Sequence, residues 1–175
     1  LLRKEIRRFA INELEPRASI IDSFSEFPRK NIDGLVKLGL TGLTIDEKYG
    51  GSGGTSKQLA LVAEEIARGC GATSVIFLAH LSLCTQFINT YGTEEQKSKY
   101  LPDLISAKSI GAFGLTEADA GSDSAKINTS VRKNGDGYLL NGTKLFITNA
   151  KEADVFVVIA NQAPQFDRSG IVSVI

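Results

Sequence analysis

The run Gly111-Ala112-Phe113-Gly114-Leu115-Thr116-Glu117-Ala118-Asp119-Ala120-Gly121-Ser122-Asp123 is the stretch of this 175-residue chain best suited to ligand chemistry. Its small residues let the peptide groups near Leu115 and Thr116, and the open amides near Gly121 and Ser122, approach a ligand closely. Exposed amides of this kind suit an anion or the polar edge of a ring. Glu117 and Asp123 could do acid–base chemistry by residue type alone, but carboxylates in such a loop more often cap free amides or meet a cation. Residue chemistry leaves two readings open, a ligand loop and a structural turn.

Other chemistry-bearing residues have plainer readings. Gly50, Gly51, Ser52, Gly53 and Gly54 could cradle a phosphate, yet no Gly-Lys-Ser/Thr follows them, and an interhelical loop is expected. His80 is the sole histidine, set in an apolar helix without polar companions, which reads as a packed histidine. Cys84 lies one turn away, but no third group orients a Cys–His pair, so it reads as a small apolar residue. The adjacent pairs Glu64 and Glu65, and Glu94 and Glu95, diverge on a helix and read as solvated or salt-bridged surface. Neither Cys70 nor Cys84 sits in a metal or disulfide spacing, so no metal site is expected and a reducing compartment is.

The elements that must position the loop change character along the chain. Up to about residue 108 apolar residues recur at helical spacing. Leu59, Val62, Ala63 and Ile66 share one face of a helix over Ser56 to Arg68, and Thr73 to Tyr91 is apolar almost all round, as expected of a buried core helix. Gly92 is expected in the C-terminal glycine position, Thr93 with Gln96 as a capping box, and Pro102 as a kink or restart. From about Ser109 the period is two. Ile127, Thr129 and Val131 alternate with polar residues, and Asn134 to Gly137 turns the chain into Tyr138 to Leu140. Thr143 to Thr148, Val155 to Ala160 and Ile171 to Ile175 read as further strands, the last after a turn at Asp167 to Gly170. Helices followed by strands predict an α+β multidomain fold: an all-α domain over 1–108, then 109–175 as the first part of an antiparallel β-barrel domain.

Lys plus Arg equals Asp plus Glu at 20 each, and 42% of residues are hydrophobic. That balance points to a globular, soluble protein with a small-molecule partner rather than nucleic acid. The longest apolar run, Val75 to Ala79 extended by Leu81 and Leu83, falls far short of a membrane span. The helix at Leu1 and the strand at the end suggest that the natural chain extends further and covers the sheet edge.

Gly114-Leu115-Thr116-Glu117-Ala118-Asp119-Ala120-Gly121-Ser122-Asp123 resembles the flavin-loop signature of acyl-CoA dehydrogenases. About thirty residues on, Asn141-Gly142-Thr143-Lys144-Leu145-Phe146-Ile147-Thr148-Asn149-Ala150 resembles their second flavin-contacting strand. Tyr49-Gly50-Gly51-Ser52-Gly53 and Tyr91-Gly92-Thr93-Glu94-Glu95-Gln96-Lys97 are similar to the family's helical domain, so the resemblance spans the chain. Ala118 stands where the family usually has Pro, Lys126 where it has a small residue, and Phe146 where many members have Trp.

The resemblance implies FAD as cofactor. Phe113 and Leu115 would present backbone to the isoalloxazine and Thr116 would bond its pyrimidine side. Gly121 and Ser122 would meet the pyrophosphate, with Ser122 also near the CoA. Phe146 and Ile147 would lie at the flavin, and the Thr148 hydroxyl would approach N5. Leu81, Thr85 and Ile88 would line the acyl pocket. The implied reaction is α,β-dehydrogenation of an acyl-CoA thioester to the trans-2-enoyl-CoA, with hydride passing to N5. The family's base is a glutamate of a C-terminal helical domain absent here, so no catalytic residue is assigned in this chain. An electron-transferring flavoprotein as electron acceptor, a homotetramer, and a cytoplasmic or, in a eukaryote, mitochondrial matrix location are also implied. The alternatives are an acyl-CoA oxidase or flavin monooxygenase on the same fold, or a non-catalytic module that binds a partner.

Overall fold

The structure is a computed structural model that describes residues 1–162 and 170–175. Helix α1 (Leu2–Phe9), a π-helical stretch (Ala10–Leu14) and α2 (Glu15–Phe24) run without a break, with Pro16 falling just after the π-helical stretch. Then come α3 (Arg29–Lys37) and α4 (Ser56–Gly69), the latter opened by a capping box of Thr55 and Gln58. Next, α5 (Gly71–Leu78), a π segment (Ala79–Thr85) and α6 (Gln86–Tyr91) form one rod of 21 residues.

The rod is the expected core helix. Phe77, Leu81, Cys84 and Ile88, spaced four, three and four apart, are all 0% exposed. By length and composition alone the rod is apolar enough to cross a membrane, contrary to the shorter run read from the sequence. Half of it is nevertheless buried among the other helices.

Several local expectations change. Helix α7 (Glu94–Ile105) starts at the predicted Thr93–Gln96 capping box but passes through Pro102 without restarting. Gly92 adopts an extended backbone, φ −67°, rather than a left-handed cap. It is a glycine because a Cβ there would meet the Ile88 carbonyl oxygen at 2.6 Å. Glu65 is not surface: at 0% exposure it accepts two bonds of 2.8 Å from the Arg7 guanidinium. Those bonds hold its carboxyl below the usual range against the opposing effect of burial.

The strands are β1 (Gly111–Gly114), β2 (Ser130–Asn134), β3 (Gly137–Asn141), β4 (Val155–Asn161) and β5 (Ile171–Val174). The hairpin β2–β3 closes around Asn134 and Gly137 as predicted, with Gly135 at φ +59°. The sheet is mixed and open rather than wholly antiparallel: β1 runs parallel to β4 and β5 antiparallel to it. Val158 pairs with both Gly114 and Val174, and Asn161 with both Ser130 and Ile171. So β1 and β2 lie end to end along one edge of β4, and β5 takes the other. Thr143 to Thr148 is not a strand; its backbone is irregular. Of the predicted turn at Asp167 to Gly170, the first three residues lie outside the described residues.

The helical and sheet parts meet at the rod. His80 Nε2 donates to the Leu104 carbonyl at 2.9 Å, and its Nδ1 accepts from the Gly111 amide at 3.0 Å. Val155 and Val157 of β4 join the helical core, and the rings of Phe87 and Phe113 stand 5.5 Å apart.

Candidate functional site

Two stretches far apart in sequence lie side by side. The Leu145 amide donates to the Thr116 carbonyl at 2.8 Å, and Lys144 Nζ donates to the Leu115 carbonyl at 2.9 Å. Lys144 also donates to Glu117 Oε1 at 2.7 Å, and the same carboxylate accepts from the amides of Asn128 (2.7 Å) and Thr129 (2.9 Å). The pair is nearly dry, with side-chain exposures of 11% for Lys144 and 8% for Glu117. Burial alone would raise the Glu117 carboxyl, but the bonds from Lys144, Thr129 and Asn128 outweigh it and pull it down to about 2. Glu117 therefore caps amides and meets a cation at once. As a nearly permanent anion it is poorly suited to taking up a proton.

The second stretch is clamped again at its far end. Asn149, in the left-handed region at φ +71°, donates through Nδ2 to the carbonyls of Ile76 (3.1 Å) and Gly111 (3.0 Å). It thus ties helix α5, strand β1 and the end of the motif together. Between the clamps Phe146 also has positive φ (+57°) while its ring is 91% exposed. A bulky residue in that conformation stores on the order of 1–3 kcal/mol and persists only where its surroundings impose it.

Among the described residues the hydroxyls of Thr116 and Thr148 make no hydrogen bond, and neither do the exposed amides of Gly121 and Ser122. Nothing lies within 4 Å of where a Cβ on Gly121 would be, so that peptide is open to close approach. Ile147 lines a cleft of about 810 Å³ with Phe24, Phe27 and Ile76. Phe113 and Leu115 are half-buried and pack against Ala120, Ile127 and Ile159. Asp123 turns inward on its own loop, accepting from the Ala125 amide at 3.3 Å and pairing with Lys126 at 3.5 Å.

The structure brings Phe113, Leu115, Thr116, Phe146, Ile147 and Thr148 onto the two stitched stretches, with Gly121 and Ser122 on the excursion between β1 and β2. Leu81, Thr85 and Ile88 are each 0% exposed, and the Thr85 hydroxyl donates to the His80 carbonyl inside the π segment. They sit in the helical core. Sequence reasoning did not single out Lys144 or Asn149 as site residues. A hint was there in each case: a lone lysine in an otherwise apolar run, and an asparagine where the chain must turn.

The remaining candidates are structural. Burial, only partly offset by the bond to Leu104, pushes His80 down to about 4, so it stays neutral. Burial pushes the Cys84 thiol up to about 12, which makes it inert. In the glycine loop the amides of Gly51, Ser52, Gly53 and Gly54 already donate to Asp46, Gly42, Ile45 and Leu43, so none is left for a phosphate. Among the described residues no group of acidic, histidine and cysteine side chains could hold a metal.

Comparison with known proteins identifies the family. The family model for the N-terminal domain of acyl-CoA dehydrogenases matches residues 1–108, and that for their middle domain matches 112–175. A short-chain specific acyl-CoA dehydrogenase of Clostridium acetobutylicum is 45% identical over 160 residues, covering 91% of this chain and 42% of that protein. A chain solved in work on the electron transferring flavoprotein of Acidaminococcus fermentans superposes with TM-score 0.92 at 38% identity, covering 98% of this chain and 45% of that one. The structure of PigA with FAD and proline superposes with TM-score 0.90 at 31% identity, covering 98% and 45%. The chain thus spans less than half the length of each of these. With both family models matched in order, and the two stitched motifs falling inside the second, the chain belongs to the acyl-CoA dehydrogenase family.

Proposed function

We propose that the chain serves an FAD-dependent α,β-dehydrogenation of an acyl-CoA thioester, in which a proton leaves Cα, a hydride leaves Cβ, and the trans-2-enoyl thioester forms. The observation that carries this reading is the stitching of Thr116 to Leu145. It brings Thr116, with its unbonded hydroxyl, beside the stretch that carries Thr148 and the strained, exposed ring of Phe146.

Those groups fit FAD. The Thr116 hydroxyl can bond a ring edge, the Thr148 hydroxyl can donate to a ring nitrogen, and Phe146 offers a flat apolar face that keeps water away. The amides of Gly121 and Ser122 suit a pyrophosphate, since nothing obstructs them. When bound, FAD supplies the hydride acceptor at its N5. The chain's part is to fix donors beforehand where negative charge will develop, which lowers the barrier without reorganisation during the reaction. The proton must go elsewhere than to Glu117, whose three bonds hold it ionised. The electron acceptor we assign is an electron-transferring flavoprotein.

Anaerobic titration of the full-length protein with saturated acyl-CoA thioesters, followed by visible absorption, tests the reading. Flavin bands that bleach with one chain-length class support it. A colourless protein that FAD does not reconstitute overturns it. Fast reaction of the substrate-reduced protein with O₂ would reassign it to an oxidase or monooxygenase.

A further inference from the structure

We infer that Lys144 and Glu117 act as a positioning pair for the flavin, holding the Leu115 and Thr116 peptides and the Phe146 turn in the geometry that receives it. The inference rests on the functional reading above and names the residues that pre-organise its site.

Lys144 Nζ bonds the Leu115 carbonyl and the Glu117 carboxylate at once, drawing the chain that leaves β1 toward the second motif. The other carboxylate bonds go to Asn128 and Thr129, where the excursion returns to the sheet. One pair of side chains therefore fixes the start of the loop, its end, and the neighbouring stretch. Every backbone group assigned to the flavin ring lies within two residues of an atom in this network. The network is also rigid. Both side chains are almost fully buried, the Leu145 amide closes the same seam, and the Lys144 stem passes 3.5 Å from where a Cβ on Gly114 would be.

A buried pair of this kind is a weak source of net stability, because removing two charges from water costs about as much as their attraction returns. Its value lies in fixing geometry, and sites that lack such support are left about 1 Å too loose. Lysine suits the task through a point charge with donors that reach in several directions, one to a peptide and one to a carboxylate.

The test compares full-length wild type with Lys144→Met and Lys144→Arg. It measures FAD affinity by flavin fluorescence, visible circular dichroism of the bound flavin, kcat against KM for acyl-CoA, and melting of the apoprotein. Lys144→Met is expected to weaken FAD binding about tenfold or more, to change the visible dichroism, and to lower kcat more than it raises KM. Lys144→Arg, which keeps the cation and donors, should recover most of the affinity. A Lys144→Met protein with a lower apoprotein melting temperature but unchanged FAD affinity, dichroism and kcat overturns the inference and makes the pair merely structural. If Lys144→Met does not fold, Glu117→Gln decides: about tenfold weaker FAD binding supports the pair, and unchanged binding overturns it. A wild-type protein that takes up no FAD overturns the functional reading and this inference with it. Wild-type binding alongside an indifferent variant overturns the inference alone.

Discussion

The helical and sheet parts of this chain are held together in different ways. The first rests on one continuous apolar core, in which Leu14, Leu35, Phe77, Leu81, Ile88, Leu101 and Leu104 are all 0% exposed. The second has a small apolar cluster of Ala120, Ile127 and Ile159, and its loops are fastened by polar stitches centred on Glu117, Lys144 and Asn149. Apolar burial is non-directional and supplies stability without fixing any one atom. Hydrogen bonds of 2.7–3.1 Å supply less net stability but fix particular peptides in place. The stable part therefore acts as a foundation, and the precisely placed groups gather where the ligand is expected.

Three experiments can break or sharpen this contrast. The largest effect is expected from Phe77→Ala, which opens a cavity in the helical core and should cost about 3–5 kcal/mol in denaturant unfolding. A loss below about 1 kcal/mol would mean that the helical core is not the foundation.

Acid comes next. An unfolded chain protonates its histidine near 6.5, whereas folded His80 resists until about 4. Its contribution is thus fully present above 6.5 and is lost as pH falls toward 4, by at most about 3 kcal/mol. Glu117 contributes above 4.5 and loses its share as pH falls toward 2. Melting temperature against pH should therefore fall in two stages, the junction first and the bonded carboxylates Glu117 and Glu65 afterwards, and His80→Gln should flatten the upper stage. A single drop below pH 4, unchanged in His80→Gln, would show that the junction does not depend on a neutral imidazole.

The smallest effect belongs to Asn149→Gly, which keeps the left-handed backbone accessible and removes both side-chain bonds. A global loss of about 1–2 kcal/mol is expected, with much faster amide exchange confined to residues 145–150. Faster exchange spread through the helices as well would mean that the stitch carries the foundation.

How much of this was legible beforehand follows the same divide. The core helix, the Thr93–Gln96 capping box and the β2–β3 hairpin could be read because apolar period, N-cap chemistry and a glycine turn are local signals. Thr143 to Thr148 alternates well enough to pass as a strand. It is pulled into an irregular path by Lys144 and Asn149, whose partners lie 27 to 73 residues away, and no window of sequence contains both ends of such a bond. Gly92 was misread for a related reason: its need for glycine comes from the carbonyl of Ile88, not from its own dihedral. The β1–β4 pairing and the burial of Glu65 were hidden in the same way. The candidate site residues come from motif resemblance, while the bonds that hold their stretches together are visible only in three dimensions.

The end-to-end placement of β1 and β2 on a single edge of β4 has an evolutionary consequence. The excursion from Leu115 to Thr129 leaves that edge opposite Val158 and rejoins it opposite Asn161, a gap of about 10 Å at the usual rise per strand residue. Its two feet are set by β4 and not by its own length. Closure cost grows only slowly with loop length, so residues could be inserted or exchanged near Gly121, beyond the Glu117–Ala120 bridge and in open space, while both feet keep their footing. The arrangement works as a socket with fixed pins, in which descendants of one ancestor could fit different loops, and so different ligands, without redesigning the sheet beneath.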